Sequence, residues 1–327
     1  MSAGFDIERE PFSAADSAQY YDGRFESGYM ESWPKWKRFR VAELIRSLPL
    51  PESGVALDFG CGNGVFTEVL VGALPKWEVL GTDISQKALS RARADVPGAA
   101  FFLLEEADCS GRKVDLVFTH HVLEHVIDLD EALNRVDGFL EDHASVLHIL
   151  PCGNPGSFEH QICELRRDGL ERDRGSRFFF EEPSHVRRLD SERVRNLYEM
   201  RGFRLMLANF SCHHSGAINW ITHSGSDFIR DLADPACAVD AKASRRLVKL
   251  RRKLLWIAFL RSIQKRVENR LKWGRWGIRS VCGLIAIYPL YLIGKRVDQY
   301  WEDRDAKEWS TRKNDPNGSE MYLFFQR

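Results

Sequence analysis

The chain lacks net charge: 47 Lys and Arg balance 47 Asp and Glu over 327 residues. Neutrality excludes a polycation or polyanion acting as a whole, so any electrostatic partner must be engaged by one segment. Cysteine is scarce. There are seven, an odd number, scattered and without a Cys-x-x-Cys pair. This excludes a disulfide framework and the common zinc and redox spacings, and it makes the cysteines core fillers in a reducing, cytoplasmic setting. The opening residues, MSAGFDIEREPF, place acids where a secretory signal needs basic and apolar residues. No apolar run reaches the roughly 20 residues of a spanning helix. Internal repeats and low-complexity tracts are also missing. What is present is a 44% hydrophobic content, enough to bury the core of one large domain or two small ones.

The most informative stretch is VALDFGCGNGVFTEVL, residues 55–70. Its apolar start reads as a short buried strand over 55–59, with Asp58 near the end. Gly60, Gly62 and Gly64 follow, interleaved with Cys61 and Asn63, and apolar periodicity then predicts a helix over 64–73. A second strand-like run, 77–82, ends in Asp83 and Ile84. Strand, glycine turn, helix, strand, acid is a nucleotide-binding βαβ unit. The glycines permit a tight turn and let a ligand touch the backbone. Asp83, at the second strand's tip, can accept hydrogen bonds from both ribose hydroxyls of an adenosine. A glycine turn alone also serves dinucleotides. Here, however, the acid inside the strand suits a cationic ligand end better than a pyrophosphate.

The spelling D-x-G-C-G-N-G resembles motif I of the class I S-adenosylmethionine-dependent methyltransferases. The resemblance implies S-adenosylmethionine as cofactor, with Asp58 helping to orient its amino-acid end. It also implies that Gly60, Cys61, Gly62, Asn63 and Gly64 pack against the cofactor, with Asp83 and Ile84 at the ribose. The fold expected is α/β, a Rossmann-like doubly wound sheet, mostly parallel with an antiparallel last strand, plus a helical insertion. Strands are expected at 55–59, 77–82, 99–104, 114–119, 144–150 and 203–210, and helices at 35–48, 64–73, 85–95, 129–140 and 189–201. The family's closing hairpin of strands has its natural match at 321–325. This divides the chain into a lead-in (1–50), a methyltransferase core (51–211 plus 319–327) and an inserted helical subdomain (212–318). The aromatic lead-in YYDGRFESGYMESWPKW either lies over the cofactor, as the resemblance suggests, or forms a surface turn.

After the fourth strand comes VDLVFTHHVLEHV. His120 and His121 fall at a strand's carboxyl end, where α/β sheets bind ligands. His120 is expected to line the cofactor and His121 to face the acceptor as the catalytic residue. Glu124 and His125 are expected to fix the helix start and the loop. The phrase VLEHV resembles small-molecule methyltransferases of the ubiquinone-biosynthesis O-methyltransferase type. Enzymes that methylate amino groups of nucleic acids carry an Asn- or Asp-Pro-Pro-aromatic tetrapeptide at this place, and this chain has none. In the same small-molecule group, residues corresponding to 151–188 shape the acceptor pocket. His185, before a capped helix, resembles a His-x-x-x-x-Ser/Thr pattern and is the second catalytic candidate. The histidines and cysteines near 211–237 fit no metal-ligand framework, and no metal is expected. The expected activity is methyl transfer to an oxygen, secondarily a nitrogen, of a small-molecule, lipid-linked or glycan acceptor, with a histidine base. The rivals are an RNA methyltransferase and a non-catalytic cofactor-binding scaffold.

The expected insertion is where the charge is uneven. Residues 242–279 hold fourteen Lys or Arg and one acid, Glu268. Leu247, Leu250, Leu254, Ile257 and Leu260 keep a helical stripe among them, and 280–294 is almost wholly apolar. One reading is a helical subdomain with a solvated basic face. The other is an interfacial element on an anionic membrane surface through 242–296, which would place the protein peripherally on the cytoplasmic side. Nucleic acid is not the expected partner.

Overall fold

A computed structural model describes residues 14–26, 33–109, 111–273 and 278–327, with side chains described for all of these except 14–17, 108–109, 174, 270–273 and 278–287. Part of the aromatic lead-in (27–32), and the side chains of much of the apolar stretch (280–287), therefore lie outside what is described. The chain divides into two compact units. One comprises Met1–Leu150, Arg195–Leu207 and Leu323–Arg327, the other Pro151–Val194 and Ala208–Tyr322.

Two helices, α1 (Ala14–Glu26) and α2 (Lys35–Ser47), come first. Strands and helices then alternate: β1 (Val55–Phe59), α3 (Val65–Ala73), β2 (Glu78–Asp83), α4 (Gln86–Asp95), β3 (Ala100–Leu103), α5 (Leu104–Cys109), β4 (Val114–His120), α6 (Leu129–Phe139) and β5 (Leu140–Pro151). Next come α7 (Phe158–Glu164), a small hairpin of β6 (Leu170–Glu171) and β7 (Arg177–Phe178), α8 (Ser191–Glu199) and β8 (Arg204–Ser211). Four helices follow before the last strand: α9 (Ser215–His223), α10 (Ser226–Leu232), α11 (Ala241–Trp273) and α12 (Ile278–Arg312), then β9 (Glu320–Gln326).

The main sheet has seven strands in the order β3-β2-β1-β4-β5-β9-β8. It is the expected Rossmann-like sheet, mostly parallel with an antiparallel pair. The first five strands are parallel and in close register, with Phe59 beside Thr82, Asp83 beside Leu103 and His120 beside Ile149. This brings the carboxyl ends of β1, β2 and β4 to one edge. β9 lies next to β8, as the apolar run near the chain's end leads one to expect. β5 is longer than its expected 144–150. Its first turn of strand, with exposed Glu141, Asp142 and His143, carries no apolar alternation to reveal it. The lead-in is helical over 20–26 and again from Lys35, with Trp33 and Pro34 outside any helix. α1 buries Phe25 and is tied to α4 by hydrogen bonds from Ser85 and Lys87 to Asp22.

Within the second unit, the stripe on α11 packs as expected. Leu247, Leu254, Ile257 and Leu260 are buried, the first three in a cluster with Ile218, Ile221 and Leu232. Buried Arg261 threads between helices, donating to the Asn219 carbonyl at 2.8 Å and pairing with Asp298 at 3.0 Å. Among the described residues, no helix is long and apolar enough to cross a membrane.

Candidate active site

The glycine turn is stitched to the tip of β2. Gly60 N–H and Cys61 N–H both donate to the Thr82 carbonyl, at 2.8 and 3.0 Å, and Gly62 N–H donates to Asp83 Oδ2 at 2.8 Å. Gly60 has φ +77°, and a Cβ there would lie 2.5 Å from Val122 Cγ2, so only glycine fits. Gly64, also left-handed at φ +84°, caps α3. Asp83 Oδ1 accepts from Ser85 N–H at 2.9 Å. Backbone amides thus fix this carboxylate at the tip of β2.

Asp58 sits at the end of β1, 1% exposed, accepting a 2.6 Å hydrogen bond from the Thr67 hydroxyl. Burial pushes its pKa up to about 7, with Asp83 adding in the same direction and the Thr67 bond opposing. A buried carboxyl in this state gains from a cation brought beside it. Burial, then the two aspartates, also raises the Cys61 thiol well above its usual range, which makes it packing in the turn rather than a nucleophile.

At the end of β4, His120 stacks on Phe66 with centroids 3.8 Å apart and meets the edge of Trp33 at 4.7 Å. His121 adopts a left-handed backbone, φ +56°, held by its N–H donating to the Ile149 carbonyl at 2.8 Å. Its Nδ1 lies 3.2 Å from Oε1 of Glu124, which is 1% exposed. Here the structure departs from the sequence reading. The start of α6 is fixed by Asp128, whose carboxylate accepts from Glu131 N–H at 2.9 Å, whereas Glu124 is turned inward to His121. His125 N–H does tie the loop, donating to the Val122 carbonyl at 3.0 Å.

These groups share a cavity of about 440 Å³. Asp58, Gly60, Cys61, Gly62, Asn63, Asp83, Ile84, His120 and His121 all line it, and Gly64 does not. Tyr21, Phe25 and Trp33 of the aromatic lead-in line it too, in keeping with a lead-in that lies over the cofactor, while Phe66 and Glu105 also line it and were not singled out as site residues from sequence. Glu105 follows β3, the strand beside β2, so its position at the same edge was a usable signal. The buried carboxyl, the amide-fixed acid on β2 and the glycine turn fit a cationic adenosine-bearing cofactor.

Behind the cavity edge, His148 bridges Thr119 Oγ1 and the Tyr198 hydroxyl, each at 2.6 Å. Burial lowers its pKa to about 3, so it is a neutral strut between β4 and β5. His185 belongs to the second unit. There its Nδ1 lies 3.0 Å from Glu181 Oε2, and Glu181 also pairs with Arg188, which lies over the Phe178 ring at 3.8 Å.

Residues 57–146 match a family model described as a methyltransferase domain. The chain carries a class I S-adenosylmethionine-dependent methyltransferase domain. Curated methyltransferases align over about three tenths of the chain. Trans-aconitate 2-methyltransferase of Methylobacterium radiotolerans is 36% identical over 101 residues, covering 31% of this chain and 39% of that protein. The enzyme of the same name from Variovorax paradoxus is 35% identical over 96 residues, 29% of this chain and 37% of that one. Malonyl-(acyl-carrier protein) O-methyltransferase of Magnetococcus marinus is 32% identical over 106 residues, 31% of this chain and 39% of that one. The chain thus spans under two fifths of the length of these three relatives. The part matched by the family model holds the glycine turn, Asp83 and the two histidines, and stops before His185.

Proposed function

We propose that the chain transfers the methyl group of S-adenosylmethionine to an oxygen of a small-molecule acceptor, with His121 as general base. The observation that carries this reading is that His121 opens on the same cavity as Asp58 and Asp83 while its Nδ1 meets buried Glu124. When bound, S-adenosylmethionine supplies an electrophilic methyl group on a sulfonium. Asp58 would hold its cationic amino-acid end, Asp83 its ribose, and the turn from Gly60 to Asn63 its flank. Glu124, with Oε1 3.2 Å from Nδ1, would favour the proton on that nitrogen, leave Nε2 as the basic one and stabilise the imidazolium formed when the acceptor's proton is taken. A left-handed backbone at a non-glycine residue is costly and clusters at functional sites, which supports a working role for His121. His185, oriented by Glu181 in the second unit, is the alternative base.

The relatives' names favour a second reading of the acceptor. Trans-aconitate and malonyl groups are both carboxylates, already ionised at neutral pH and in no need of a base. An assay with labelled S-adenosylmethionine against small carboxylic acids, phenols and alcohols separates the two. For a hydroxyl acceptor, His121→Ala should lower kcat by about 10²- to 10⁴-fold with cofactor affinity near normal. Full turnover in both His121→Ala and His185→Ala rejects the histidine base, and carboxylate methylation at a rate independent of pH establishes the second reading.

A further inference from the structure

In the second unit α11 and α12 run antiparallel, as their paired residues show: Lys253 lies over the Trp301 ring, Arg261 pairs with Asp298, and Ile263 and Val267 cluster with Tyr291. They approach closely where a Cβ on Gly294 would lie 2.8 Å from the Leu260 carbonyl oxygen. The packed side of α11 accounts for its buried leucines. Its opposite side is unusual. Arg245, Lys249, Arg252, Trp256, Phe259 and Arg266 recur at spacings of three, four and seven, the period of one helix face, and all six are exposed. Trp256 is 59% and Phe259 47% exposed, and their rings stack at 5.7 Å. Near the same crossing, α12 exposes Tyr288, Leu292 and Ile293 by 45–50%, followed by exposed Lys295 and Arg296. Among the described residues, no acidic side chain pairs with Lys249, Arg252, Lys265, Arg266, Lys295 or Arg296.

A solvated helical subdomain has no use for five large apolar side chains standing among cations. We propose that the outer side of this hairpin docks on an anionic membrane surface. Lys249, Arg252, Arg266 and Arg296 engage acidic headgroups, while Trp256, Phe259, Leu292 and Ile293 enter the boundary between headgroups and acyl chains. The charge selects the partner's sign, since 242–279 carries fourteen cations and one acid. The aliphatic side chains select its nature. A nucleic-acid strand stacks bases on flat rings and makes no use of exposed Leu292 and Ile293, whereas a lipid boundary takes aliphatic and aromatic groups alike. Docking is shallow, because among the described residues neither helix is long and apolar enough to cross a membrane.

The test uses the full chain in flotation with two kinds of vesicle, phosphatidylcholine alone and phosphatidylcholine with an equal part of phosphatidylserine. Flotation should occur only with phosphatidylserine, weaken with salt, and shift tryptophan emission to the blue. Each cation near such a surface contributes about fivefold to partitioning, so Lys249→Glu with Arg252→Glu should weaken binding by roughly 25-fold or more. Trp256→Ser with Phe259→Ser should weaken it and abolish the emission shift. Both pairs are exposed, and unchanged melting temperature and S-adenosylhomocysteine affinity verify that the variants fold. The proposal is overturned by flotation indifferent to phosphatidylserine, or by both variants binding like the parent. It is equally overturned by RNA binding without vesicle binding, or by a dimer in light scattering that the Trp256 and Phe259 changes dissociate.

Discussion

Asp58 and Glu181 are both buried carboxylates, one in each compact unit, and their surroundings drive them in opposite directions. At Glu181 burial is opposed and outweighed by Arg188 and by the bond with His185, and the carboxyl is held down at about 2. At Asp58 burial wins, because its neighbours are a hydroxyl and another aspartate, and the carboxyl rises to about 7. The first charge is neutralised by the chain's own residues and serves the fold. The second is left for something the chain does not supply. A buried acid lacking an internal cation is thus a sign of a binding site, and one already paired is not.

The largest expected effect comes from breaking the self-sufficient pair. Arg188→Leu leaves Glu181 buried opposite a neutral side chain and should destabilise the protein by about 3–5 kcal/mol in urea denaturation at pH 7. Glu181 is lowered on folding, so its stabilisation is present above about pH 4.5 and is lost as pH falls towards 2. The gap between parent and variant should therefore narrow over that window. A gap that stays constant with pH would assign the loss to the Arg188 bonds with the Cys152 and Ser319 carbonyls instead.

A smaller loss is expected at the cofactor site. Asp83→Ala removes a charged acceptor and should weaken S-adenosylhomocysteine binding by about 1.5–3 kcal/mol, roughly 10- to 150-fold, in calorimetry. Wild-type affinity in that variant would remove the ribose role from Asp83. The gentlest test addresses Asp58. A bound cation favours its ionised form, so cofactor affinity should rise with pH up to about 7 and level off above it, with a proton released on binding below that point. Because its pKa is raised on folding, Asp58 costs the free protein stability as pH climbs from 3.8 to about 7. Asp58→Asn should accordingly raise Tm at pH 8 by about 2–4 °C per kcal/mol recovered, while weakening cofactor binding. A lower Tm in that variant would show that Asp58 serves the fold after all.

The two regions also differ in how far the sequence revealed them. The turn at 60–64 was legible because the backbone itself demands glycine there, as the clash at Gly60 with Val122 shows. Asp83 was legible because strand periodicity places it at a tip. The last strand was legible from MYLFF alone. The partners of these residues were not. Glu124 lies three positions from His121, a spacing equally suited to a helix start, and only the inward turn of the loop decides between the roles. Phe66 beneath His120 and Trp33 at its edge come from α3 and the segment before α2, and their convergence depends on tertiary closure. In the second unit, periodicity marked Leu247 and Leu254 as core, while the grouping of 151–194 with 208–322 left no local trace in either segment.

The position of β9 has a consequence for the order in which the molecule is made. β9 lies between β5 and β8, yet residues 212–319 separate it from β8 along the chain. When β8 leaves the ribosome, the strand that must seat it against β5 is still roughly a hundred residues away. At translation rates of about 5–20 residues per second, that interval lasts on the order of 5–20 s. Throughout it β5 presents an open row of backbone donors and acceptors, a ready template for foreign strands. The glycine turn and Asp83 are complete well before then, so a nascent chain could hold its cofactor cradle while its sheet is still unfinished.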